Sequence, residues 1–172
     1  SKGITTVVDN AFATGALQRP IEFGADVVAY SATKLMEGQG RVLLGAVCGT
    51  AEFINDVLMP FQRNTGPIAA PFNAWVVLKG LETLPLRAKA QSASAMEVAR
   101  FLEGRGVDML HPGLESHPQH AIAARQMDAF GNIFSFNLKD RGEAFAMLNA
   151  FELIDISNNI GDAKSLACHP AS

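Results

Sequence analysis

Residues 27–34 read Val-Val-Ala-Tyr-Ser-Ala-Thr-Lys, an apolar stretch that runs into two hydroxyls and an amine. Residues 27–30 have the make-up of a buried strand, so Ser31, Thr33 and Lys34 stand where an α/β sheet exposes its carboxyl edge, the place where such sheets bind ligands. A primary amine there can condense with an aldehyde once its proton is removed or its pKa is lowered by desolvation and neighbouring cations. Ser31 and Thr33, on either side of Ala32, can offer two hydroxyls to a phosphate beside the same amine. Asp9 ends a second β-branched run and supplies a carboxylate at another strand end. Plainer readings stay open. A Ser-Ala-Thr-Lys stretch after a strand also describes a helix N-cap followed by a solvated lysine, and Asp after a strand commonly caps a helix or turn.

The elements that must position these groups follow from the pattern on either side. Residues 1–3 carry no cap, and residues 4–8 read as a buried β-branched strand of the parallel-sheet kind, so the chain is expected to begin inside a domain. A short crossover through Leu17, Pro20, Ile21 and Phe23 leads to the strand 27–30, and two buried strands joined this way are parallel with a right-handed connection. Asp9 and Lys34 then share one sheet edge. A third apolar strand is expected over 41–48 and a helix from Thr50 to the stop at Pro60. A polar turn follows over 63–67, in which Asn64 is a candidate contact. Residues 71–87 predict a helix with Gly80 and Pro85 as weak points and Trp75 as a core anchor. Ala95, Val98, Ala99 and Leu102 predict a second helix that buries one stripe and ends at Gly104. Beyond it the pattern alternates: strand 107–110, helix 118–127, strand 132–138, helix 143–151 and strand 153–156. This reads as a small α/β sandwich.

Composition bounds the function. The 172 residues are 48% hydrophobic and 18% charged, enough apolar material for one core or two small ones. A net charge of -3 with no basic cluster argues against a nucleic-acid or anionic-membrane surface. No apolar run approaches the ~20 residues that cross a bilayer and no signal peptide is read, so the expected location is the cytoplasm. Cys48 and Cys168 have no CxxC spacing, and the Cys168-His169 pair cannot build a tetrahedral zinc site; both are expected to be free thiols. His117 and His120 have a spacing that can place two imidazoles on one helical face, but no third ligand is near and Pro118 marks a helix start. With His111 they are expected to be structural or exposed, and no metal is expected.

Asp26, the Ser31-Ala32-Thr33-Lys34 core, Gly38 and Gln39, with Val7-Val8-Asp9-Asn10, the run Gly80-Leu81-Glu82-Thr83-Leu84, His117-Pro118-Gln119-His120 and the closing stretch 158–171, resemble the pyridoxal-phosphate enzymes of cysteine and methionine metabolism, the cystathionine γ-synthase group. The resemblance covers essentially the whole chain. Leu35 stands where the family carries an aromatic residue or glutamine, and Ala11 where a threonine more often follows the Asp-Asn pair. Within the group, Gln39-Gly40, Arg63-Asn64-Thr65-Gly66-Pro67 and the stretch 156–164 look most like the O-succinylhomoserine sulfhydrylase branch.

The resemblance implies part of a type I pyridoxal-phosphate transferase fold. Residues 1–86 would be the C-terminal portion of the cofactor-binding large domain, with its parallel-type sheet, and 87–172 part of the smaller α/β C-terminal domain. It implies pyridoxal phosphate as cofactor, held by Lys34, which would also act as the mobile acid/base; Asp9 would pair with the pyridinium nitrogen, and Ser31 and Thr33 would bind the phosphate. Asn159-Ile160-Gly161 takes the place of a Ser-Leu-Gly whose serine helps hold the substrate carboxylate, which makes Asn159 the substrate-binding candidate. The implied reaction is γ-replacement on O-succinylhomoserine by sulfide to give homocysteine. Cystathionine γ-synthase and methionine γ-lyase activities are the nearest alternatives, and a non-catalytic piece without a complete site is an alternative of another class. Family members are more than twice as long; the ring-stacking tyrosine and the carboxylate-clamping arginine are expected to lie outside this sequence. The family's assembly is a homotetramer, a dimer of dimers, with no nucleic-acid or membrane partner.

Overall fold

The computed structural model describes residues 3–170; the opening Ser1 and Lys2 and the Ala171 that closes the last resembling stretch lie outside the described residues. Strand β1 (Val7–Asp9) pairs in parallel with β2 (Val27–Ser31), setting Val7 opposite Val27 and Asp9 opposite Ala29. The crossover between them is short: helix α1 (Thr14–Leu17) and a single 3₁₀ turn (Pro20–Phe23) closed by Gly24. Val27 and Val28 are buried, as two-sided packing of a central strand requires. The first run does not share that burial. Ile4 and Val7 are exposed, because β1 is an edge with no further strand beside it among the described residues.

The third strand, expected within a parallel-type sheet, runs the other way. β3 (Gly45–Gly49) runs antiparallel to β2, with Ser31 opposite Gly45 and Val27 opposite Gly49. A return of this kind needs no helical crossover, and residues 32–44 make it as a coiled turn. Residues 41–44, expected as strand, are not part of the ladder. The Arg41 amide goes to the Glu37 carboxylate and the Leu44 amide to the Thr33 hydroxyl, so side chains take the bonds a strand would give to its neighbour.

After β3 a π-helical segment (Phe53–Leu58) continues into α2 (Met59–Thr65). Pro60 does not stop the helix; it falls in the first turn of α2, at the junction with the wider π-helical segment. The expected turn at 63–67 is therefore helical up to Thr65, and Gly66 in the left-handed region closes it.

Helix α3 (Pro71–Gly104) is a single 34-residue rod, roughly 50 Å long at 1.5 Å per residue. The sequence pattern predicts two helices here, and the 86/87 domain boundary falls inside this one. Pro85 lacks the N–H its turn would donate, but Leu84 and Ala88 are buried on either side of it, and that packing carries the helix through. Each of three apolar clusters draws on α3. Leu84 and Ala88 pack with Ala13, Leu17 and Leu35; Val76 and Val77 pack with Ala32 and Val42; Ala99 packs with Met109 and Leu114. Trp75, expected in the core, is 56% exposed, and Phe72, Leu78, Leu86, Val98 and Phe101 share its exposure. The small residues of α3 face the protein, and most of its large ones do not.

The second half is built from short pieces. β4 (Met109–Leu110) pairs antiparallel with β5 (Ser135–Phe136), and β6 (Asp155–Ile156) pairs in parallel with β7 (Leu166–Ala167), a strand the pattern does not reveal. Between them lie α4 (His120–Gln126) and α5 (Arg141–Asn149). The Asp140 side chain caps α5 by accepting from the Glu143 amide, while the Glu143 carboxylate accepts from the Lys139 amide.

Candidate active site

Lys34 sits in the coil that follows β2. From Ala32 to Met36 the backbone makes one wide turn, closed by the Glu37 amide donating to the Ala32 carbonyl at 3.0 Å and the Gly38 amide donating to the Lys34 carbonyl at 2.8 Å. Lys34 itself leaves the helical region, with φ −86° and ψ −128°. Its ammonium donates to the Asn158 carbonyl at 3.2 Å, a contact 124 residues away in sequence.

The other predicted residues take distinct places. Thr33 pins the returning chain: its hydroxyl accepts from the Leu44 amide at 3.0 Å and reaches the Leu44 carbonyl at 3.3 Å. Ser31 ends β2 half-buried. Asp9 ends β1, exposed, and one of its carboxylate oxygens accepts from the Ala11 amide at 3.0 Å. The parallel register puts Asp9 level with Ala29, five residues before Lys34, so both are at the carboxyl edge of the β1–β2 pair. Asn159 belongs to the loop that Lys34 touches. Its side-chain amide donates to Asp162 at 3.0 Å, and it lies against Gly40, where a β-carbon would stand 2.6 Å from its nitrogen. Asn64 is on the last turn of α2, exposed, with no hydrogen bond to the Lys34 turn among the described residues.

The loop over residues 158–162 is seated on the lysine turn. Gly161, at φ +84°, approaches so closely that a β-carbon would be 2.6 Å from the Leu35 Cα and 2.7 Å from its nitrogen. On the other side, α3 presses against the same turn: a β-carbon on Gly80 would be 2.5 Å from the Met36 carbonyl oxygen.

Three residues that the motif does not single out hold this turn. The buried Glu37 carboxylate accepts from the Gln39 amide at 3.0 Å, the Arg41 amide at 2.9 Å and the Arg41 guanidinium. Burial pushes that carboxyl up, and the Arg41 and Gln39 hydrogen bonds together with the Arg41 charge outweigh it, holding the group below the usual carboxylate range. Arg87, half-buried on α3, donates to the carbonyls of Leu35 at 2.8 Å, Met36 at 3.1 Å and Gly80 at 2.8 Å, and its Nε donates to the Thr83 hydroxyl at 3.0 Å. Burial lowers its pKa while the Glu37 charge opposes that; an arginine remains charged throughout. The signal in the sequence is slight: Glu37 and Arg41 at i,i+4, and Arg87 two helical turns after Gly80.

The histidines build no metal centre, and no cluster of His, Cys, Asp or Glu among the described residues could hold one. His111 is fully buried. Its Nδ1 accepts from the Gly113 amide at 3.1 Å, which leaves the proton on Nε2, facing the Gly131 carbonyl at 3.5 Å. His120 Nδ1 lies 2.9 Å from the Pro112 carbonyl. Cys48 and Cys168 are free and exposed.

Known proteins carry the same pattern. The family model described as "Cys/Met metabolism PLP-dependent enzyme" matches residues 1–172. An O-succinylhomoserine sulfhydrylase of Mycobacterium tuberculosis (strain ATCC 25618 / H37Rv) is 48% identical over 99% of this chain and 44% of its own length. The enzyme of that name from Pseudomonas aeruginosa is 46% identical over 100% and 43%. The crystal structure of a cystathionine gamma synthase from Xanthomonas oryzae pv. oryzae, in complex with aminoacrylate and cysteine, superimposes with a TM-score of 0.93 at 36% identity, covering 99% of this chain and 45% of that one. The chain thus spans less than half the length of the relatives it matches.

Proposed function

Since the chain belongs to the Cys/Met metabolism PLP-dependent enzymes, we propose that it carries the lysine side of a pyridoxal-phosphate site that replaces the γ-substituent of O-succinylhomoserine with sulfide, releasing succinate and forming homocysteine. The choice of substrate follows the relatives that match at 46–48% identity, above the 40–41% of the first-ranked cystathionine beta-lyase and methionine gamma-lyase.

The chemistry of the donor set fits the cofactor. Lys34 offers the amine that an aldehyde requires, and its contact is a backbone carbonyl rather than a neutralising carboxylate. Asp9 has one carboxylate oxygen engaged with Ala11, leaving the other for a ring nitrogen. Ser31 at the strand end offers a hydroxyl to a phosphate; the Thr33 hydroxyl would have to exchange its long bond to the Leu44 carbonyl to do the same. When bound, the cofactor supplies an electron sink that stabilises negative charge beside the substrate nitrogen.

The work of this chain's residues is then positional and acid–base. Lys34 holds and releases protons at its Nζ, a role that needs the amine free to move between neighbouring atoms on one side of the turn. The contact with the Asn158 carbonyl sets where that amine rests. Asn159, next to it on the same loop, would meet a substrate carboxylate with its amide or backbone by exchanging its present bonds to the Asp162 carboxylate and the Ser157 hydroxyl.

One observation carries this reading: a lysine off the helical path at the carboxyl edge of a parallel strand pair, its amine reaching a loop 124 residues away. Incubation of the expressed protein with pyridoxal phosphate, borohydride reduction and peptide mapping by mass spectrometry should place the label on Lys34, and Lys34→Ala should remove it. Label spread over Lys79, Lys89 and other surface lysines alike in both proteins would sink the proposal. A sulfide-plus-O-succinylhomoserine assay then tests the substrate.

A further inference from the structure

Two carbonyls immediately after Lys34 have lost their backbone partners. In a regular helix the Leu35 carbonyl would accept from the Gln39 amide, but that amide donates to Glu37 instead. The turn therefore opens just where the lysine needs a fixed base. Arg87 fills the gap from α3: its Nη1 reaches the Leu35 carbonyl and its Nη2 the Met36 carbonyl, while Nη2 and Nε are anchored on α3 itself through the Gly80 carbonyl and the Thr83 hydroxyl. The contact is built for close approach on both sides. A β-carbon on Gly38 would stand 2.3 Å from Arg87 Nη1, and one on Gly80 2.5 Å from the Met36 oxygen.

We propose that Arg87 is a positioning residue for Lys34: its guanidinium ties the two carbonyls that follow the lysine to α3, and so sets where the amine points. Arg87 makes no hydrogen bond to the lysine side chain, so it acts through the turn and not on the reacting atoms. The planar fork matters because two parallel donors address consecutive carbonyls while the Nε edge stays on Thr83; a lysine in its place offers a point charge that cannot hold all of these at once. The proposal rests on Lys34 being the reactive lysine.

The test measures borohydride-fixed pyridoxal label on the Lys34 peptide of the expressed protein, with Lys79 and Lys89 as internal standards, across pH 6 to 10 and well below each variant's melting temperature. Proteins compared are the wild type, Arg87→Ala, Arg87→Lys, Thr83→Val and Lys34→Ala. Displacing the base of a reactive group by an ångström costs one to two orders of magnitude, so Arg87→Ala should lower the Lys34 label roughly tenfold or more relative to the standards and move its pH midpoint, with Arg87→Lys recovering part of the loss. If Arg87→Ala does not fold, Thr83→Val decides, since of the four Arg87 bonds it removes only the one at Nε, together with the long bond from the Thr83 hydroxyl to the Gly80 carbonyl, and should lower the label a few-fold, by about two to five. A folded Arg87→Ala, or failing that Thr83→Val, whose Lys34 label and pH midpoint match the wild type overturns the positioning role. Absence of Lys34 label in the wild type overturns the site reading itself, a different result.

Discussion

Gly161→Ala isolates the seat of the 158–162 loop on the lysine turn, with Gly131→Ala as its control. Both glycines have φ +84°, so alanine meets the same left-handed strain at each, about 1–2 kcal/mol. They differ in what the new methyl meets. At Gly131 there is nothing within 4 Å; at Gly161 the methyl would be 2.6 Å from the Leu35 Cα and 2.7 Å from its nitrogen. Ordinary carbon contacts lie at 3.5–4.0 Å, so the loop must lift by about 1 Å, and neither partner can rotate away because the atoms struck are backbone. Overpacking of this kind costs about 1–3 kcal/mol. The expected result is a loss near 1–2 kcal/mol for Gly131→Ala and about 2–5 kcal/mol for Gly161→Ala, read from urea midpoints at constant m-value. Lifting the loop also carries the Asn158 carbonyl away from Lys34, so Gly161→Ala should lose Lys34 label where Gly131→Ala keeps it. Equal destabilisation of the two variants, within about 0.5 kcal/mol, would show that the loop does not rest on Leu35.

The buried Glu37 carboxylate is held below its usual pKa, so the folded state keeps it ionised after the unfolded chain has taken a proton. Its contribution should be complete above the unfolded value of about 4.3 and vanish as pH falls through the folded value; Glu37→Gln should cost about 1.5–3 kcal/mol at pH 7, and the gap between the two urea midpoints should close as the pH falls below the unfolded value and through the folded one. Parallel profiles for the two proteins would refute that assignment. His111 behaves the opposite way in charge: burial, with a smaller push from His117, lowers its pKa against the pull of the Gly131 carbonyl, so the ring stays neutral in the fold while the unfolded chain protonates near 6.5. Stability should therefore fall as pH drops below about 6.5 toward the folded value, and His111→Asn should flatten that slope; a slope unchanged in the variant would place its origin elsewhere.

What the sequence makes legible here is what consecutive residues determine. An apolar run followed at once by Ser31, Thr33 and Lys34 places the amine at a strand end, and a second β-branched run before it places Asp9 on the same edge; the parallel register of β1 and β2 agrees with both. The direction of β3 is not local information. It depends on the Arg41 and Leu44 amides finding Glu37 and Thr33 rather than a ladder, and those side chains are four and eleven residues away. Trp75 misleads for a related reason. Size and hydrophobicity argue for burial, but the side of α3 that meets the Lys34 turn is chosen by how near that turn must come, and Gly80 and Ala88 leave that kind of room.

The continuity of α3 is the feature that local rules conceal most, because Gly80 and Pro85 both argue for breaks, yet it is what relates the two sides of the site. Arg87 holds the carbonyls after Lys34, and Gln91, one turn further along the same face, donates to the Asp162 carbonyl at 3.1 Å while accepting from Asn132 at 2.6 Å. The lysine turn and the 158–162 loop are thus both referenced to one rod rather than to each other alone. Directly, the two segments are joined by little besides the Lys34–Asn158 bond, the Gly161 contact and Asn159 lying against Gly40. A helix broken at Pro85 would leave Gly80 and Arg87 on separate bodies, and the fork that spans the Gly80, Leu35 and Met36 carbonyls could not close. The rule that proline ends a helix is overridden here because buried residues on both sides of the missing hydrogen bond keep the helix continuous, and that continuity makes it a common reference for the site.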